Sequence, residues 1–451
     1  MLASSALVLL MTPGLAFFYG GMVRSKNVLN MIMMSVSAMG LVGVLWSLYG
    51  YSTAFGDNKF GVIGDPAQFF GLKGLITGSS VAEVKDSTGT VTSAAVNIPL
   101  AGTIPMSVFV AFQLMFAIIT VALISGAVAD RLKFGAWLLF AGIWATVVYF
   151  PVAHWVFDFD VTDPNTKEII HHGGWIANQL KAIDFAGGTA VHINAGAAGL
   201  ALVLVLGKRK GWPTTAFRPH NLTFVMLGAG LLWFGWYGFN AGSALGANGT
   251  AGSTFITTTF ATCAGMLGWL LVEKLRDGKP TSLGAASGVV AGLVAITPSC
   301  SSVNVLGALA VGVVAGVLCA LAVGLKFKFG FDDSLDVVGV HLVGGIVGTL
   351  MVGLFLAPES PAAVSGLYAN TKGLFYGGGI DQLWRQAVGA GAVLAFSFVA
   401  SLIIAYIVKF TIGLRVSDEA EAVGLDESEH AETAYDFAAL GSTARSAVKE
   451  A

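Results

Sequence analysis

Charge is what this 451-residue sequence lacks: Asp, Glu, Lys and Arg together supply only 11% of it. A soluble domain carries about 25%. So few charged side chains cannot cover a water-exposed surface, which excludes an ordinary soluble protein. A net charge of −2 gives no footprint for nucleic acid. Cysteine is nearly absent. Cys263, Cys300 and Cys319 lie in apolar or loop context without metal-ligand spacing, so neither a disulfide framework nor a metal centre is read from them.

What is present is apolar and small. Hydrophobic residues make up 55% of the chain, and glycine fills 59 positions. Small residues let helices approach closely in lipid, so the excess fits a tight polytopic bundle. A spanning helix needs roughly 20 mostly apolar residues. Such runs occur at Leu2–Tyr19, Leu29–Tyr51, Pro105–Val128, Phe134–Val156, Gly187–Leu206, Leu222–Ser243, Gly252–Val272, Leu283–Thr297, Val305–Leu325, Val337–Leu356 and Trp384–Val408. The expected fold is all-α with eleven transmembrane helices, the eighth of them short.

Lysine and arginine in the connecting loops set the orientation. With the N-terminus outside, the five inner loops hold thirteen of them, and Lys409, Arg415, Arg445 and Lys449 raise the inner count to seventeen, against seven outside. The expected topology is N-terminus out, C-terminus in. The first span has no basic flank before it, whereas Arg24 and Lys26 follow it, so it is read as a retained helix and not a cleaved signal. The outer loops 56–104, 157–186 and 357–383 are polar. The tail from Ser417 carries nine acidic residues against two basic ones and is expected to be soluble and partly disordered until bound.

One internal repeat organises the spans. The fifth contains Val191-His192-Ile-Asn-Ala-Gly196-Ala-Ala-Gly199, and the tenth Val340-His341-Leu-Val-Gly-Gly345-Ile-Val-Gly348. Each histidine follows an aspartate, Asp184 or Asp333, by eight positions. Five is odd, so two five-helix units joined end to end run in opposite senses. That inverted plan, common among transporters, puts a site where the halves meet. The chain divides into a transmembrane domain of 1–408 (repeat one about 1–206, repeat two about 220–356, last helix 384–408) and a cytoplasmic tail of 409–451.

Ionisable groups inside spans are costly, which marks His192 and His341. Glycines at i+4 and i+7 share each histidine's helical face and let the facing helix come near. The alternative is a pair of core histidines bonded to backbone carbonyls. Phe112 with Phe116, and Phe239 with Ser243, stand four apart on their helices. Aromatic faces attract cations and a hydroxyl accepts from them, although interfacial aromatics are common in membrane proteins. Asp184 reads as a helix cap, as a fixed charge favouring cations, or as both.

At Asp184-Phe-Ala-Gly-Gly-Thr-Ala-Val-His192-Ile-Asn-Ala-Gly196 the sequence resembles the signature of the ammonium transporter (Amt/Mep/Rh) family. Pro13-Gly-Leu-Ala-Phe-Phe-Tyr-Gly-Gly21, Gly235-Trp-Tyr-Gly-Phe-Asn-Ala-Gly-Ser243, Ile296-Thr-Pro-Ser-Cys300 and Gly339-Val-His341 are similar to the family in the same order. The resemblance runs from about residue 2 to residue 437 and is nearest the bacterial Amt branch. It implies a homotrimer in a bacterial cytoplasmic membrane, with one pore per subunit and no cofactor. It implies that Phe116 and Ser243 line an outer cation site with Phe112 beside them. Phe116 and Phe239 would form a gate, and His192 and His341 a hydrogen-bonded pair lining the pore. Asp184 would be a structural and electrostatic carboxylate.

The tail stretch Gly424-Leu-Asp426 through His430-Ala-Glu432-Thr-Ala-Tyr435 looks like the family's regulatory segment, with Ala431 where glycine is usual. Bacterial members are typically blocked by PII-type signal proteins. Two departures stand out. Family members usually carry residues ahead of the first span, which leaves Met1 open as the native start. Phe157 stands at the family's outer-site tryptophan and is followed by an insertion carrying Trp175, a rival for that wall.

What the resemblance implies is a transporter or channel, not an enzyme. Moving ammonium (or its analogue methylammonium) into hydrocarbon costs far more than cation–π and hydroxyl contacts return. Losing the proton at the gate leaves neutral ammonia, which an apolar pore admits. Burial disfavours imidazolium, so neutral imidazoles serve ammonia as partners and are candidates to relay the proton. Potassium has no proton to lose and is rejected. A rival reading is a membrane ammonium sensor signalling through its tail. An intramembrane metalloenzyme using His192, His341 and a carboxylate is the third, and it lacks a nearby Glu, Cys or further His at ligand spacing.

Overall fold

The structure, a computed structural model, describes residues 1–76, 83–89, 91–93, 97–163 and 165–435. Arg445 and Lys449 of the tail lie outside the described residues. Among the described residues, ten helices are long and apolar enough to cross a membrane. They are α1 Leu2–Met22, α2 Ser25–Phe55, α3 Met106–Val128, α4 Phe134–Phe157, α5 Gly188–Leu206, α6 Leu222–Ala244, α7 Gly249–Arg276, α9 Val305–Phe329, α10 Val338–Phe355 and α11 Asp381–Thr411. The eleventh run, α8, is the short Ser282–Ile296. At 1.5 Å per residue α8 spans only about 22 Å. The chain then turns through Thr297–Ser302, whose residues are buried. Irregular backbone survives at membrane depth only where protein surrounds and satisfies it. Thr257 of α7 does so here, its hydroxyl donating to Cys300 O at 2.7 Å.

Helix starts in the second half follow local capping chemistry. Asn221, Asn248, Thr281 and Asn304 each accept, through the side chain, a backbone N–H three residues on, opening α6, α7, α8 and α9. Between helices, glycine replaces bulk. A Cβ at Gly14 of α1 would lie 3.0 Å from Leu231 Cβ of α6, so the leading helices of the two halves run against each other.

The fold is an inverted repeat of α1–α5 and α6–α10, with α11 packed across them. Ser397 of α11 donates to Asn194 O of α5 at 2.8 Å, and Gln386 donates to Thr349 O of α10 at 3.1 Å. Both histidine-bearing helices open with a widened, π-type turn, Gly188–Ile193 in α5 and Val338–Leu342 in α10. Such turns redirect side chains and recur at functional sites.

Among the described residues, four two-stranded hairpins stand at one end of the bundle, here the hairpin face. They pair Asn58–Lys59 with Ile63–Gly64, Val84–Lys85 with Val91–Ser93, Leu100–Ala101 with Ile104–Pro105, and Val161–Thr162 with Ile169–His171. At the opposite face, buried ionic contacts tie the halves together: Arg209 pairs with Asp332 at 2.8 Å and with Asp130 at 3.4 Å.

The described part of the tail, through Tyr435, is folded. Asp418–Val423 (α12) and Leu425–His430 (α13) lie folded against the bundle's own loops. Acidic side chains that repel one another when free here accept from two helix starts and from the loop that holds Lys210. Asp426 accepts from Asn30 N at 2.8 Å, Glu429 from Phe134 N at 2.8 Å and Glu421 from Lys210 N at 2.7 Å. Residues 436–451 lie outside the described residues.

Candidate substrate pathway

Among the described residues, three of the cavities follow one another from the hairpin face to the tail face. The first, about 460 Å³, opens at the hairpin face and is lined by Phe112, Phe116, Phe157, Asp158, His171 and Ser243 among others. The second is enclosed and only about 10 Å³, with His192, His341, Trp236 and Phe239 in its wall. The third, about 170 Å³, is lined by His341, Glu273, Arg276 and Asp336 at the tail face. His341 belongs to the walls of both the second and the third.

Phe116 and Phe239 separate the first two cavities, their ring centroids 4.3 Å apart. Phe116 comes from α3 and Phe239 from α6, one from each repeat. Phe112 packs 4.9 Å from Phe116, and Phe157 lies 6.4 Å from it. Ser243 donates its own hydroxyl hydrogen to Phe239 O at 2.8 Å, which leaves its lone pairs as acceptors. Trp175 does not enter this group; it packs on Trp155 at 5.9 Å.

Below the rings, His192 and His341 face each other across the junction of the repeats. Their Nδ1 atoms are 3.3 Å apart and both residues are buried. A contact between two Nδ1 atoms holds one proton, so one ring donates while the other accepts. His192 Nε2 is buried with no hydrogen-bond partner among the described residues. A buried polar atom left unpaired in an otherwise apolar wall calls for an explanation. Trp236 stacks on His192 at 5.4 Å and 17°, anchored by Nε1 donating to Thr297 Oγ1 at 2.8 Å.

The close helix crossing has a glycine basis. A Cβ at Gly196 would sit 2.6 Å from Leu342 N, and one at Gly345 only 3.1 Å from His192 Cβ. Any side chain there would push the imidazoles apart.

Asp184 lines none of the three cavities. It is buried and accepts from Gly187 N (2.8 Å), Gly188 N (2.6 Å), Thr189 N (2.7 Å) and Ala190 N (3.2 Å), and from the Thr189 hydroxyl. Gly187, at φ +126°, takes a backbone conformation that side chains rarely adopt, and this closes the loop around the carboxylate. Asp333 repeats the arrangement with fewer bonds, accepting from Val337 N at 3.1 Å and Val338 N at 2.7 Å. Each aspartate thus holds the widened turn that seats its histidine.

At the tail face Asp426 binds the start of α2. Gly424 lies at φ +123° against Lys26, and Tyr435 OH meets His220 Nε2 at 2.9 Å. Ala431 ends α13 in the left-handed region at φ +54°.

Sequence reasoning passed over Trp236, Asp158 and His171. Trp236 was within reach, since it stands three residues before Phe239 on the same helical face. Asp158 and His171 lie at the two ends of the inserted hairpin, and only the fold joins them. His171 Nδ1 lies 2.7 Å from Asp57 Oδ1 and its Nε2 2.9 Å from Asp158 Oδ1. The Asp158 carboxylate, with Asp57 beside it, holds this imidazole's pKa up to about 9 despite burial.

An inverted pair of five-helix repeats with a constricted passage between them defines a polytopic membrane transport protein. A model of the Ammonium Transporter Family matches residues 1–435. The chain belongs to that family. It is 74% identical over 438 residues to the ammonium transporter of Mycobacterium tuberculosis, covering 97% of this chain and 90% of that one. Among solved structures it resembles Candida albicans Mep2, with a TM-score of 0.79 at 32% identity over 92% of this chain and 85% of that chain. It also resembles a structure described as a sensor Amt protein, with a TM-score of 0.80 at 26% identity, covering 95% and 96%.

Proposed function

We propose that this protein recruits ammonium at the hairpin face and that, at the Phe116–Phe239 constriction, the ion passes its proton to the His192–His341 pair. The protein then conducts ammonia past His192 and His341 to the tail face. The observation that carries this reading is the enclosed 10 Å³ cavity, whose wall holds both imidazoles. It has room for about one water-sized guest. An ammonium ion there would be stripped of water inside an apolar wall, a cost that two neutral imidazoles do not offset. Ammonia fits, donating to or accepting from the free His192 Nε2. Above the rings, Phe157 and Phe116 offer aromatic faces and Ser243 an acceptor, which suits the charged form. The imidazole pair, already sharing one proton, is the route by which a proton follows.

The hairpin face is taken as external, which puts the N-terminus outside and the tail in the cytoplasm of a bacterium. Residues 1–408 form the conducting domain, two repeats and a last helix, in a homotrimer. Residues 409–451 form the regulatory tail, with Gly424, Asp426 and Tyr435 as its docking points and a PII-type protein as partner. The test is uptake of labelled methylammonium by a variant with both His192 and His341 replaced by alanine. Selective conduction should be lost, and wild-type uptake would refute the mechanism.

A second reading is a sensor whose output is the tail. Support comes from the folded contacts of Leu425–His430 with the start of α2 and from the likeness to the sensor Amt protein. Zero flux in reconstituted vesicles with intact ammonium-dependent binding of a PII-type protein would favour it.

A further inference from the structure

The cavity at the hairpin face is far larger than an ammonium ion needs, and most of its wall is apolar. At about 460 Å³ it falls within the range of small-molecule sites, about 300–1,000 Å³. Away from the Phe116–Ser243 end its wall is made by Tyr51, Phe55, Phe69, Met106 and Phe109. Phe55 stands edge-on to Phe109 at 5.0 Å and 5.4 Å from Tyr51. The inserted hairpin closes the remaining side with Val161 and Ile170.

The charges facing this chamber favour one cationic group. Asp158 is the lining carboxylate. Among the described residues the basic lining side chain is His171, and both its ring nitrogens are taken up by Asp57 and Asp158. His154 also lies 3.2 Å from Asp158 and is fully buried. Two carboxylates, Asp57 and Asp158, thus meet one protonated imidazole, and Asp158 is the one in the chamber wall. An apolar chamber with a carboxylate in its wall and aromatic faces at its floor suits an apolar body bearing a cationic head.

We propose that this chamber is a binding site for primary alkylammonium ions of about four to six carbons. The ammonium head sits at the aromatic and Ser243 floor beside Asp158, and the alkyl tail lies along Phe55, Phe69 and Phe109. Such guests stop there. The ring pair and the 10 Å³ cavity beneath leave no room for a chain. That these ions also block transport rests on the reading of this cavity as the outer mouth.

Isothermal titration of purified protein with ethyl-, butyl- and hexylammonium, and with n-hexanol as the uncharged tail, tests the site. Each added methylene should tighten binding by about two- to fourfold, the gain for a buried methylene. Hexanol should bind at least about tenfold more weakly than hexylammonium. Phe109→Ala should weaken hexylammonium several-fold while leaving ethylammonium nearly unchanged, and Asp158→Asn should weaken every amine alike. A flat response to chain length, hexanol binding as well as hexylammonium, or a trend untouched by Phe109→Ala would overturn the proposal. Competition against labelled methylammonium uptake is the separate arm. Binding that follows the trend without competition leaves the site standing and refutes the cavity as the mouth of the conduction path.

Discussion

Replacing Asp184 with asparagine isolates the carboxylate that holds the turn before His192. Its two oxygens accept four backbone N–H bonds within 3.2 Å, two on each oxygen, and a hydroxyl as well. Asparagine keeps one oxygen and sets an NH₂ where the other stood. Whichever way the amide turns, two backbone donors lose their acceptor. Each buried donor left unpaired costs about 1–3 kcal/mol, so the loss is about 2–6 kcal/mol. Asp333 is the internal control. It accepts one backbone N–H on each oxygen, so Asp333→Asn orphans a single donor and costs about 1–3 kcal/mol. Thermal unfolding of detergent-purified protein, followed by tryptophan fluorescence, should rank wild type above Asp333→Asn and Asp333→Asn above Asp184→Asn. Methylammonium uptake should fall in the same order as the turns seating the histidines loosen. An Asp184→Asn protein that melts with the wild type yet loses uptake would refute the capping argument and leave only an electrostatic role.

Phe157→Trp should lower the half-saturating ammonium concentration, by about tenfold at most, since tryptophan is the best cation holder of the aromatics and a whole cation–π contact is worth about 0.5–2 kcal/mol. Trp175→Leu should change it little, because that ring packs on Trp155; the reverse pattern in uptake kinetics would exchange their roles. Ala431→Gly should steady the tail by about 1 kcal/mol, as alanine at φ +54° bears a steric cost that glycine escapes. Slower hydrogen exchange across residues 425–435 would register it. His171, at about 9, binds its proton more tightly folded than unfolded, so its contribution is full below about pH 6.5 and is lost as pH rises through 9. Protease cleavage of the 158–172 hairpin should therefore rise between pH 7 and pH 10, and His171→Gln should flatten that dependence.

Much of the architecture was legible because lipid leaves a chain few options. Backbone polar groups must be satisfied within each span, so long apolar runs are helices, and each of the eleven expected spans overlaps a helix of the structure. Even the short eighth span was readable, since α8 stops at Ile296 where Thr297-Pro298 follows. The repeat was legible too, as Asp184 and Asp333 each stand eight residues before a histidine. The tail was not. Its acidic composition describes the free chain, and only docking against α2 and α4 supplies the N–H groups that Asp426 and Glu429 accept from.

Composition and periodicity by themselves determined that this is an eleven-helix membrane protein with two marked histidines and a set of aromatic candidates. Tertiary structure alone decided which side chains meet. The His192–His341 contact joins residues 149 apart in sequence. It exists because Gly196 and Gly345 leave space where two helices from opposite repeats cross. The Phe116–Phe239 pair likewise draws one ring from each repeat, and the choice of Phe157 over Trp175 as a cavity wall depends on where the inserted hairpin folds back. Helical spacing fixes neighbours within a turn or two. Contacts between helices depend on where small residues let backbones close, and that emerges only when the halves pack together.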